Sequence, residues 1–176
     1  AETLNHADCY CAWGEAAKQV IKAEAPSTRV EITGNPRFDL LQSQYRRVYD
    51  ETASKLSEEY GNFILFNGNF SLANGKTTIR ERSYHFDDSD SDWKQIMNNL
   101  RTQSKIFPEF LKLIANTAER FHDKTIIVRP HPSGDESFYN NIFYSHDNIK
   151  IEKRLEVRPW IRAASVTIHN SCTTGV

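Results

Sequence analysis

The chain has 176 residues, 39% of them hydrophobic and 26% charged, with a formal net charge of -1. This is the profile of an ordinary folded protein, and the balanced charge excludes a bulk attraction to nucleic acid or to an anionic membrane. No run approaches the roughly 18 apolar residues of a membrane span, and no stretch reads as a signal peptide.

In chain order, Cys9–Trp13 is a short apolar run followed by helical composition over Glu15–Ala25. Arg29–Thr33 reads as the next strand and ends in the turn signal Gly34-Asn35-Pro36. A helix capped by Asp39 is expected to run to about Tyr60, with Leu40, Leu41, Tyr45, Val48 and Leu56 at helical intervals and Gly61 as its stop. Asn62–Asn67 is a buried strand. The polar loop after it, from Gly68 to about Ser91, is long enough to suggest function. A long helical pattern then runs from Ser91 or Asp92 to about His122, with Pro108 expected to interrupt or kink it. The remaining expectations are strand Thr125–Arg129, helix Glu136–Tyr144, strand Asn148–Glu152, helix Val157–Ala164 and strand Ser165–His169.

Strands alternating with helices argue for parallel βαβ units, hence an α/β fold. A domain boundary is expected near Ser57–Asn62, so that 1–58 ends one Rossmann-like domain and 59–176 begins another. Right-handed crossovers would bring the carboxyl ends of all the strands to a common edge, with Gly34–Asp39, Asn67–Phe70, Arg129–Ser133 and His169–Thr174 converging on one cleft. The chain starts at Ala1 rather than methionine and stops at Val176 where a helix should begin. It is therefore read as a segment of a longer protein, with the cytoplasm, or the inner face of its membrane, as the expected location. Cys9, Cys11 and Cys172 make an odd count without zinc-site spacing, and are expected to be small buried hydrophobes in a reducing compartment.

Two strand ends carry the chemistry. Ile126-Ile127-Val128 runs into Arg129-Pro130-His131-Pro132-Ser133-Gly134-Asp135, and Val166-Thr167-Ile168 runs into His169-Asn170-Ser171-Cys172-Thr173-Thr174-Gly175. Open α/β sheets bind nucleotides beyond the carboxyl ends of their strands, and a helix N-terminus there suits a phosphate. The prolines on both sides of His131 fix its backbone, and its imidazole can donate to a phosphate or ribose oxygen and, when protonated, offset leaving-group charge. Hydroxyls at Ser171, Thr173 and Thr174 can contact phosphate, although any one of them also serves as a helix cap. Arg37, next to Gly34-Asn35-Pro36, could clamp a carboxylate or phosphate, or form a salt bridge to Asp39 or elsewhere. Gly68, between Asn67 and Asn69, could admit a substrate close to the backbone or simply make a turn. Asp87, Asp88, Asp90 and Asp92 lack the ligand order of a calcium loop, so no metal is expected.

Trp13-Gly14-Glu15, Thr33-Gly34-Asn35-Pro36-Arg37-Phe38-Asp39, Arg129-Pro130-His131-Pro132 and His169-Asn170-Ser171-Cys172-Thr173-Thr174-Gly175 together resemble bacterial surface-carbohydrate biosynthesis proteins. These are GT-B-like glycosyltransferases of capsule and lipopolysaccharide loci. The His-Pro and Ser/Thr elements are similar to those of transferases using CMP-activated acid sugars, such as sialyl- and Kdo-transferases. The resemblance implies a metal-independent transferase with no cofactor, a nucleotide-sugar donor, CMP-linked by preference, and a glycan or lipid-linked acceptor. Peripheral association with a glycan assembly complex would fit the same reading. It also implies that His131 and Pro132 face the CMP phosphate or ribose, within a nucleotide site formed by Arg129, Ser133, Asn170, Ser171, Cys172, Thr173, Thr174 and Gly175. Gly34, Asn35, Pro36, Arg37, Asn67, Gly68 and Asn69 would line the substrate cleft. A looser resemblance is to UDP-N-acetylglucosamine 2-epimerases, but Asn67-Gly68-Asn69-Phe70 replaces their basic loop, and Ser171-Cys172-Thr173 stands where they carry Ser-Gly-Gly. The same motifs are compatible with a CDP-glycerol-type polyol-phosphate transferase and with a non-catalytic sugar-nucleotide-binding module.

Overall fold

A computed structural model describes residues 7–40, 42–77, Glu81 and 91–171, and the chain divides into two compact units, 1–48 and 49–176. In the first unit, β1 (Cys9–Ala12) pairs in parallel with β2 (Arg29–Ile32), joined by helix α1 (Glu15–Glu24). Ala12, Val30 and Ile21 form its small core, with Ala17 packed against them. Cys9 and Cys11 fall on the opposite face of β1 from Ala12. They are exposed free thiols, which corrects the expectation that they are buried.

The single helix expected from Asp39 to Tyr60 is instead a short helix α2 (Pro36–Asp39), a run of turns, a 3-10 turn at Arg46–Tyr49 and helix α3 (Asp50–Tyr60). The start moves because Asn35 caps α2: its Oδ1 accepts from the Arg37 N–H at 3.1 Å, with Pro36 at the first helical position. The middle fails as helix because Gln42, Ser43, Gln44 and Arg47 give it no apolar face, and Tyr45 and Val48 are exposed. Leu41 lies outside the described residues.

The second unit is a four-stranded parallel sheet of β3 (Phe63–Asn67), β4 (Thr125–Arg129), β5 (Ile149–Ile151) and β6 (Val166–His169), in spatial order β5-β4-β3-β6. Helices α4 (Ser91–Arg120) and α5 (Glu136–Ile142) connect β3 to β4 and β4 to β5, and α6 (Val157–Ala163) returns from β5 to β6. Alternation along each strand separates two cores. Ile64, Phe66, Ile126 and Val128 meet Phe107, Phe110, Ile114 and Ala118 of α4 and Tyr139 of α5. On the other face, Phe63, Leu65 and Ile127 meet Leu56 of α3 and Trp160 of α6. All five residues of β3 are buried, as a strand covered on both faces requires.

Leu56 places α3 with the second unit, so the division falls at Val48 and Tyr49 rather than at 58 and 59. Pro108 does not interrupt α4, which is assigned as one helix from Ser91 to Arg120. Phe107 and Phe110, buried on either side of it, hold that turn against the sheet and override the local preference. No helix among the described residues is long and apolar enough to cross a membrane.

Candidate functional site

Numbered in chain order, the four strands of the second unit lie 3-2-1-4, the first four positions of the doubly wound order 3-2-1-4-5-6. The connection reverses direction at the first strand, β3. The crevice that such sheets use for ligands therefore lies between the carboxyl ends of β3 and β6, where Asn67-Gly68-Asn69 faces His169-Asn170-Ser171.

Side-chain amides tie those two ends together. Asn170 Oδ1 accepts from the Asn69 N–H at 2.7 Å, and Asn170 Nδ2 donates to the Asn69 carbonyl at 3.4 Å. Asn69 Nδ2 in turn donates to the Ser171 carbonyl at 3.1 Å. Asn170 thus continues the ladder one step past the last strand pair, and its amide is engaged with backbone. Ser171 follows at φ +40°, a left-handed conformation that costs a side chain roughly 1 kcal/mol and tends to persist where a site requires it. Gly68 is buried and donates to the Arg129 carbonyl at 2.9 Å. A Cβ on it would stand 3.3 Å from the Tyr139 hydroxyl, so the need for glycine here comes from packing. Beside these strand ends opens a recess of about 440 Å³, whose other wall comes from α4.

The arm after β4 lies on the other side of β3. Arg129 Nη1 and Nη2 donate to the Arg154 and Leu155 carbonyls at 2.8 and 2.9 Å, and its guanidinium lies 5.0 Å over the Trp160 ring. Burial lowers its pKa to about 10, so it remains charged at neutral pH. Its donors anchor the loop that enters α6. His131 is placed differently. Its Nδ1 accepts from the Ser133 N–H at 3.2 Å and lies 2.8 Å from the Ser133 hydroxyl. Accepting from a backbone donor fixes Nδ1 as the unprotonated nitrogen, so the neutral ring carries its proton on Nε2. Burial, with the charge of Lys153 added, lowers the imidazole's pKa and favours this neutral form. Nε2 makes no hydrogen bond among the described residues.

The arm is stitched to the loop after β3. The Lys76 N–H donates to the Ser133 carbonyl at 2.9 Å and the Asp135 N–H to the Asn74 carbonyl at 2.8 Å, while Asn74 Nδ2 returns a bond to the Asp135 carbonyl at 3.0 Å. Gly134 sits at the crossing, where a Cβ would meet the His131 carbonyl at 3.0 Å. Lys153 Nζ donates to the Gly134 carbonyl at 2.6 Å. Pro132 accepts from Lys153 Nζ at 3.4 Å through its carbonyl and brings no N–H to the turn, which the Gly134 N–H closes onto the His131 carbonyl at 2.7 Å.

The structure therefore places Asn67, Gly68, Asn69, Arg129, His131, Pro132, Ser133, Asn170 and Ser171 along the carboxyl edge of one sheet. Cys172, Thr173, Thr174 and Gly175 lie outside the described residues, as do Asp87, Asp88 and Asp90. Gly34, Asn35, Pro36 and Arg37 belong to the first unit, after β2, where Gly34 has φ +73° and Asn35 is the α2 cap. Arg37 forms no salt bridge with Asp39, whose Oδ1 instead accepts from Gln42 Nε2 at 3.2 Å. Sequence reading missed Asn74, Gln103, Lys153 and Trp160. Of these only Gln103 carried a signal: Asn99, Thr102, Gln103 and Ile106 share one face of α4 at helical spacing. Among the described residues no group of three or more His, Cys, Asp or Glu could hold a metal ion.

No protein-family model, no curated protein and no solved structure matches this chain.

Proposed function

We propose that the second unit binds the donor of a GT-B-type glycosyltransferase, which moves a sugar from a nucleotide, CMP-linked by preference, to a surface glycan. The observation that carries this reading is the 3-2-1-4 strand order, with an open recess at its switch point between β3 and β6. The neutral His131 supplies the chemistry. Its Nε2–H donates to a phosphate or ribose oxygen, and protonation of the ring at Nδ1 makes it a cation that offsets charge on the departing nucleotide phosphate. Ser133 holds the ring by its backbone N–H, which a side-chain substitution leaves in place, and by its hydroxyl 2.8 Å from Nδ1. Arg129 contributes by anchoring the loop that leads to α6 rather than by contacting phosphate directly. In this reading the phosphate also meets Ser171, Thr173 and Thr174, and no bound metal takes part.

Calorimetric titration with CMP, CDP, UMP and UDP tests the proposal. CMP is expected to bind most tightly, and His131→Ala to weaken it tenfold or more, about 1.4 kcal/mol. A preference for UDP would favour an epimerase-like enzyme instead. Absence of nucleotide binding by the folded protein would overturn the reading.

A further inference from the structure

The recess beside β3 and β6 has a wall that the proposed phosphate contacts do not use. α4 contributes Asn99, Thr102, Gln103 and Ile106 to it, and the strand ends contribute Asn69 and Asn170 among others. None of the described residues lining it is charged. Such a wall offers a phosphate no counter-charge. It suits a part of a ligand whose oxygens and nitrogens are neutral and need hydrogen-bond partners on leaving water.

Gln103 sets which partners are offered. Its Oε1 accepts from the Leu72 N–H at 3.0 Å and from the Ala73 N–H at 3.2 Å. A half-turn of the amide would place its NH2 against two other donors, so the backbone fixes its orientation. Nε2, with two hydrogens, makes no hydrogen bond among the described residues, and neither does the side chain of Asn99. Thr102 Oγ1 donates to the Asn98 carbonyl at 3.0 Å, which leaves it as an acceptor. On the strand side, the Asn170 amide is already engaged with the Asn69 backbone. Asn69 and Asn170 each have one amide hydrogen engaged with backbone, so the oriented donor with both hydrogens unengaged among the described residues is Gln103 Nε2 on α4.

We infer that the recess is a subsite for an uncharged group bearing hydrogen-bond acceptors, the base of the bound nucleotide sugar or the neutral hydroxyl- and amide-bearing side of its sugar, with Gln103 Nε2 as its fixed donor. The inference rests on the nucleotide-sugar reading and adds to it which part of the ligand lies at the switch point.

Gln103→Glu separates the two jobs of this side chain. A carboxylate still accepts from Leu72 and Ala73, so the loop keeps its anchor, but the NH2 is gone and a negative oxygen takes its place. In the protein, the Gln103 side-chain amide signal is identified by NMR from its loss in Gln103→Glu, and is followed on adding CMP or free N-acetylglucosamine. Movement with CMP assigns the recess to the base, and movement with N-acetylglucosamine assigns it to the sugar. In either case Gln103→Glu should unfold at the parent temperature and bind the active probe at least tenfold more weakly. A signal that moves with neither probe, or a variant that binds both as the parent does, overturns the subsite. The His131 ring reports the other claim independently. If it responds to CMP while Gln103 responds to neither probe, the subsite falls and the nucleotide reading stands; if neither residue responds to any probe, both fall.

Discussion

At the scale of single residues, His131 has the most to say about pH. Its folded pKa lies below that of an exposed imidazole because burial and then Lys153 disfavour the cation. A depressed folded pKa contributes stability that is present above the unfolded value and lost as pH falls through the folded value. Ligand linkage has the opposite sign, because a phosphate at Nε2 favours the cation and raises the pKa. The NMR titration of His131 is therefore expected below the usual histidine value in the free protein and to move upward with CMP. A curve that CMP leaves unmoved would show that no phosphate reaches Nε2. This residue was legible in sequence because prolines flank it at the end of an apolar strand. Arg129, two positions earlier, was legible as a position but not as a role. Its engagement by the Arg154 and Leu155 carbonyls depends on a loop more than twenty residues away in the chain.

At the scale of elements, strands and short helices were read within a residue or two, because β-branched runs and Gly or Pro stops are local signals. Where the reading failed, tertiary packing decided the outcome. Pro108 stays within α4 because the buried Phe107 and Phe110 fix that turn, and 42–45 form turns rather than α-helix because their side chains are polar and Tyr45 is exposed. The far end of α4 depends on an equally non-local device. Asn148 Nδ2, at the entry to β5, donates to the carbonyls of Ala118, Phe121 and Lys124 at 3.0, 3.4 and 3.2 Å. One amide thus bridges carbonyls at and just beyond the helix end, of which that of Phe121 also accepts from the Lys124 N–H at 2.9 Å. Asn148→Ala is expected to cost about 1–2 kcal/mol in urea unfolding, the value of a lost hydrogen bond plus unsatisfied acceptors. A cost near zero would mean that water serves those carbonyls equally well.

At the scale of the whole molecule, the parallel α/β class followed from alternation of the elements, but the strand order did not. Nothing in Val166–His169 announces that it pairs with β3 rather than with β5, its neighbour in sequence, and the location of the crevice depends on that choice. The same pairing has a consequence in time. Residues 63–151 can form β3, β4 and β5 from consecutive βα units, whereas β6 must return across the sheet to the far edge of β3, and such long-range closures are slow to form. Two adjacent amides record the difference. The Gly68 N–H donates to Arg129 in β4, and the Asn69 N–H donates to Asn170 beyond β6. In pulse-labelling refolding experiments, Gly68 is expected to gain protection from exchange before Asn69. Simultaneous protection would show that the sheet closes in one step. If the order holds, a partly folded chain possesses the His131 arm before it possesses the recess, and the proposed nucleotide binding would begin only once the last strand docks.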